Sequence, residues 1–193
     1  MIISCLILLT ENESHYQVKG IGMKKIGFFW GSTSDNTKIA SEFIQEYLEG
    51  KGFEVDSYDI GEVDVEDILN YKDVIIGCPT WNIGELQDDW DSVFLRYEEL
   101  DFKGITAAFF GCGDQTGYPD NFLDAIGILA KPFMEKGGKL IGRCSPEPYD
   151  FRESLAMDGD ELLGLGLDYD NDDEDDCEEL MVSWLDQIIK EFA

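Results

Sequence analysis

Lys25-Ile26-Gly27-Phe28-Phe29-Trp30-Gly31-Ser32-Thr33-Ser34-Asp35-Asn36-Thr37 is the stretch that decides the fold. Ile26–Trp30 is apolar throughout, as in a strand buried on both faces of a parallel sheet. Gly31 and the hydroxyl residues after it stop the run. Ile39, Ala40, Phe43, Ile44, Tyr47 and Leu48 then recur at helical spacing until Gly50 and Gly52 close the segment. The unit is a strand, a hydroxyl-rich loop and a helix.

Working outward, the same unit returns. Phe53–Ile60, Val74–Cys78, Ile105–Phe110 and Lys139–Arg143 read as further strands; Val65–Leu69, Trp90–Tyr97, Phe122–Lys136 and Cys177–Phe192 read as helices. Five strands alternating with helices predict an α/β fold, a doubly wound parallel sheet with helices on both faces. A chain of 193 residues suits one core. That domain is expected over residues 23–193. Residues 1–22 read as an N-terminal extension, appended or mis-started, because Met23-Lys24-Lys25-Ile26 has the form of an amino terminus running into a strand. Between Arg143 and Cys177 the alternation lapses. Residues 146–162 are polar, Leu163–Leu167 is a short apolar run, and residues 168–176 are mostly acidic, the expected solvated approach to a helix.

Forty-two acidic residues against fourteen basic ones give a formal charge of −28. That field repels phosphate backbones and anionic lipid, which argues against nucleic-acid and membrane partners. No apolar run reaches the ~20 residues of a membrane span. The five cysteines form no Cys-x-x-Cys pair and there is one histidine, so no metal or cluster ligand set is visible. The thiols suit small buried hydrophobes in a reducing, cytoplasmic setting.

Three loops leave the carboxyl ends of strands, where open parallel sheets bind ligands. In Gly31 to Thr37, free N–H groups at a helix start meet four hydroxyls and Asn36, an arrangement that suits a phosphate without lysine. An N-cap cluster with surplus hydroxyls is the plainer alternative. Pro79-Thr80-Trp81-Asn82-Ile83-Gly84-Glu85-Leu86 presents a tryptophan that a planar ligand would cover by stacking. Gly111-Cys112-Gly113-Asp114-Gln115-Thr116-Gly117-Tyr118-Pro119-Asp120-Asn121 offers close backbone approach and a second flat face. Together they match a flavin mononucleotide better than a bare nucleotide.

Over residues 24–192 the sequence resembles a long-chain flavodoxin, most closely in the 79–86 loop and from Gly113-Asp114-Gln115 through Asp120-Asn121 to Asp124-Ala125-Ile126-Gly127. The resemblance implies strand order 2-1-3-4-5, with the fifth strand split by an insertion after Arg143 and resumed at Leu163–Leu167. It implies bound FMN as the cofactor. Ser32, Thr33, Ser34, Asn36 and Thr37, with Thr80 nearby, would hold its phosphate, and Trp81 and Tyr118 would sandwich its ring. The Asn82–Ile83 peptide and Gly84 would face the flavin N5, and Cys112, Gly113, Asp114 and Asn121 the pyrimidine edge. Two positions depart from the family pattern: Asp35 replaces a usual glycine, and Cys112 a small hydroxyl residue. No side chain is assigned a catalytic role.

The implied function is that of a low-potential one-electron carrier, a monomer that shuttles electrons between redox proteins with basic faces: donors of the flavodoxin reductase type and low-potential acceptors. A quinone or nitro reductase on the same fold is the alternative. It would need a substrate pocket over the flavin, where Trp81 and Tyr118 are expected instead.

Overall fold

The computed structural model describes residues 24–192; the extension expected over residues 1–22 lies outside them. A five-position parallel sheet is built from β1 (Lys25–Trp30), β2 (Glu54–Asp59), β3 (Asp73–Gly77), β6 (Thr106–Cys112) and a split fifth position. Between β3 and β6 lie two short strands, β4 (Thr80–Trp81) and β5 (Glu85–Leu86), paired antiparallel. The fifth position is shared. β7 (Lys139–Ile141) pairs with the first half of β6, and β10 (Leu165–Leu167) with its last three residues, both parallel. Residues 142–164 are inserted between these halves and contain the small hairpin of β8 (Met157–Asp158) and β9 (Glu161–Leu162). The order β2-β1-β3-β6-β7/β10 is therefore the expected 2-1-3-4-5.

Alternation along each strand divides the core in two. Phe29, Val74, Ile76, Ala107 and Phe109 face α2 (Asp88–Tyr97) and α3 (Asp124–Glu135), packing on Trp90, Tyr97, Leu129 and Phe133. Ile26, Phe28, Ile75, Ala108 and Phe110 face α1 (Asn36–Gly50) and α4 (Glu174–Glu191), packing on Ile44, Leu48, Trp184 and Ile188. Polar edges of the large rings are satisfied: Trp90 Nε1 donates to the Gly77 carbonyl at 2.9 Å, and Tyr97 Oη to that of Leu129 at 3.0 Å. Sheet and helices thus bury both faces and leave the carboxyl ends of β1, β3 and β6 at one rim.

The structure differs from the sequence reading at several points. The Val65–Leu69 helix is a 3₁₀ turn, Val65–Asn70. Ile39 sits at helical spacing yet is 47% exposed, because α1 turns that position away from the sheet. Asp168, placed by its neighbours in a solvated acidic run, is 0% exposed, since it continues directly from the buried strand β10.

Candidate functional site

A cleft of about 280 Å³ opens at the rim of the sheet. It is lined by parts of all three loops: Ser34 and Asn36, Pro79 to Asn82, and Cys112 to Asp114 with Tyr118 and Asn121. Phe122 and Asp170 complete it. Ten of the fifteen residues named from the sequence thus share one wall. The others stand beside or behind it. Thr33 Oγ1 accepts from Gln87 Nε2 at 3.2 Å, and Thr37 Oγ1 donates to Cys112 Sγ at 3.6 Å. Ile83 is 76% exposed. Gly84 takes φ +83°, and a Cβ there would collide with the Asp124 carboxylate, so only glycine fits that corner.

Ser32 carries the clearest sign of a missing partner. Its Oγ is buried without a hydrogen bond, the one such side-chain atom among the described residues. Buried polar groups are nearly always paired, so the unpaired hydroxyl in this loop marks a place for a partner from outside the chain. The helix behind it agrees. First turns of α2, α3 and α4 already hold carboxylates, whereas the first turn of α1 holds none. Apart from the Asp35 carboxylate just before it, which makes no capping hydrogen bond, the positive end of α1 is open to an external anion.

The other end of the cleft carries two aromatic side chains, Trp81 and Tyr118, beside the carboxylates of Asp114 and Asp170. Trp81 is half-buried and Tyr118 is 49% exposed, so each keeps part of its ring surface available at the cleft. Burial pushes the Cys112 thiol up to about 12, which leaves it an uncharged floor. Asp114 titrates below the ordinary carboxylate range. The Gly117 N–H is the main cause, followed by the Asn171 amide. Asn82 adopts φ +49°, and its side chain donates to Glu85 Oε2 at 2.6 Å, which holds the 80–85 turn. Thr80 Oγ1 accepts from the Ala125 N–H at 3.1 Å and ties this turn to α3.

Three contributors escaped the sequence reading. Pro79 looks like a strand stop and Asp170 like part of an acidic run, while Phe122 looks like the first residue of a helix. The helix in fact starts at Asp124, after Leu123 in a left-handed conformation (φ +60°), and Phe122 belongs to the loop. Among the described residues no three His, Cys, Asp or Glu side chains are grouped to hold a metal ion. No helix among them is long and apolar enough to cross a membrane.

Comparison with known proteins gives one answer. The flavodoxin family model matches residues 28–184. A flavodoxin from Synechocystis sp. is 46% identical over 167 residues, 86% of this chain and 96% of the relative. Flavodoxin 1 of Escherichia coli K12 is 37% identical over 166 residues, 86% of this chain and 93% of the relative. Among solved structures, Fusobacterium nucleatum flavodoxin bound to flavin mononucleotide has a TM-score of 0.82 at 27% identity, over 88% of this chain and 99% of that one.

Proposed function

The chain belongs to the flavodoxin family, an electron-transfer family, and from that premise we propose that its cleft binds FMN and that the protein carries single electrons between redox proteins. The observation that carries the binding site is the unpartnered Ser32 hydroxyl in the loop that enters α1, at the same rim as the partly exposed Trp81 and Tyr118. These features fit one phosphate and one planar ring, separated by a short chain.

In this reading Ser32, Thr33, Ser34, Asn36, Thr37 and Thr80 take the phosphate. Neutral donors and the helix dipole do the work that lysine does elsewhere. Trp81 and Tyr118 exclude water from the two ring faces. The Asn82–Ile83 peptide and Gly84 border the reacting edge, and Cys112, Gly113, Asp114 and Asn121 the pyrimidine edge. FMN, when bound, supplies the redox chemistry in one-electron steps. The cleft places no basic side chain against it. The field around it therefore opposes added negative charge and favours a low potential.

The partners we propose are donors of the reductase type and low-potential acceptors, each with a basic face, met by a cytoplasmic monomer. The exposed Glu85, Asp88 and Asp91 supply an acidic border for them. The purified protein should be yellow, and flavin released by acid should run as FMN. Release of FAD, or a colourless protein that takes up no added FMN, would sink the reading.

A further inference from the structure

Asp168 stands apart from the acidic run that contains it. It follows β10 at the ligand end of the sheet, is completely buried, and forms no ion pair with any described lysine or arginine. Its carboxylate is held by N–H donors instead. Oδ2 accepts from the Gln115 backbone at 3.0 Å, and Oδ1 from the backbones of Asp170 and Asn171, both at 3.2 Å. The Asn171 amide reaches both oxygens, at 3.0 and 2.9 Å.

A second link continues into the cleft. Asn171 Nδ2 also donates to Asp114 Oδ1 at 2.9 Å, and the same oxygen accepts from the Thr116 and Gly117 N–H groups at 3.1 and 2.6 Å. The Asp114 carbonyl then takes the Tyr118 N–H at 3.0 Å. Burying a carboxylate is costly unless its acceptors are used, and an apolar residue would fill a purely structural space more cheaply. Every donor spent on Asp168 lies in the loop that carries Tyr118 or in the turn braced against it.

We propose that Asp168 is a positioning residue: through Gln115, Asn171 and Asp114 it fixes the Gly113–Tyr118 loop, and so the Tyr118 ring, in the conformation that receives the flavin ring. This rests on the cleft being an FMN site. The recorded ties reach only the ring end. None runs from Asp168 to residues 31–37. Removing the carboxylate therefore weakens ring binding and leaves phosphate binding alone.

The test titrates apoproteins of wild type, Asp168→Asn and Asn171→Ala with FMN and with riboflavin, read by flavin fluorescence quenching and by circular dichroism of the bound flavin. Asp168→Asn should weaken both ligands by the same factor, roughly tenfold or more for lost bonds to a charged acceptor. It should alter the visible dichroism and keep the FMN-to-riboflavin affinity ratio. Asn171→Ala, an exposed site, should do the same to a smaller extent. Unchanged affinities with only a lower apoprotein melting temperature would overturn the proposal, as would a loss confined to FMN. If Asp168→Asn does not fold, Asn171→Ala decides by the same outcomes. A wild type that binds neither flavin would refute the proposed function instead.

Discussion

Asp35 offers a way to separate backbone strain from charge at the phosphate loop. It sits at φ +69°, ψ −19°, directly before α1, and its side chain makes no capping hydrogen bond. Only its carbonyl is engaged, by the Ile39 N–H at 2.9 Å. Replacing Asp35 with glycine therefore removes a side chain without removing a bond. Left-handed geometry costs an L-residue about 1 kcal/mol, and glycine returns about 0.5–1 kcal/mol of that as extra freedom in the unfolded chain. Stability should barely move.

Affinity should move. A phosphate monoester carries about −1.5 to −2 charges near neutral pH. For two charges in water as far apart as one physiological Debye length, about 8 Å, each unit of phosphate charge opposes a carboxylate by about 0.5 kcal/mol, so a phosphate group contributes about 1 kcal/mol on that scale. Screening in physiological salt, with a Debye length of about 8 Å, cuts this to roughly a third. FMN should then bind Asp35→Gly roughly fivefold more tightly in dilute buffer and about twofold more tightly in physiological salt. Riboflavin, which has no phosphate, should be indifferent. Asp35→Asn keeps a residue that tolerates the left-handed region and should match Asp35→Gly. Fluorescence titration across a salt series measures all of this. Equal gains for FMN and riboflavin would put the effect in loop strain, and no gain for either would refute the charge argument.

Other outcomes follow from the same geometry. Ser32→Ala should weaken FMN but not riboflavin, and should stabilise the apoprotein by about 1 kcal/mol because an unpaired buried hydroxyl is removed; thermal melts with and without FMN check both signs. Asp172 is pushed above the ordinary carboxylate range by burial, then by Asp168, Asp176 and Asp173. The folded state thus holds its proton more tightly than the unfolded chain, and ionisation costs stability above that range. Asp172→Asn should raise the melting temperature at pH 7 by roughly 1–4 °C, for a surface-type term below about 1 kcal/mol, and the gain should vanish as the pH falls through Asp172's own titration. Asp88 and Asp91 are exposed, whereas Asp89 is tied to Gln87 Nε2 at 2.6 Å. Neutralising Asp88 and Asp91 should flatten the salt dependence of stopped-flow reduction by a reductase, while Asp89 would confuse it with damage to the α2 cap.

The sheet was legible because each inner strand is apolar on both faces, so Ile26–Trp30 and Ile105–Phe110 announce themselves without knowledge of their neighbours. The three loops that meet at the cleft were legible because glycine, hydroxyl and aromatic residues follow strand ends. What escaped depends on tertiary placement. An aspartate reads as solvated wherever it occurs, and only the register of β10 against β6 shows that Asp168 is inside. The left-handed turn at Leu123, an unusual residue for that geometry, has no local signal, and it moved the start of α3 and left Phe122 as a buried residue of the loop behind the cleft. Asp35 shows the opposite case. It stands where the family usually has glycine, and its backbone is left-handed, the conformation glycine adopts most easily.

The split at the fifth strand position also decides how the molecule meets its own copies. A sheet edge can template a stray strand, and long, flat, uncharged edges are the dangerous ones. Here one edge is β2, in which Glu54, Asp56 and Asp59 are three of the six residues. The opposite edge is divided into β7 and β10, three residues each, separated by residues 142–164. A second chain docking along either side would find a row of carboxylates or a ladder too short to extend. Among the described residues, neither sheet edge therefore offers a long uncharged ladder for edge-to-edge pairing.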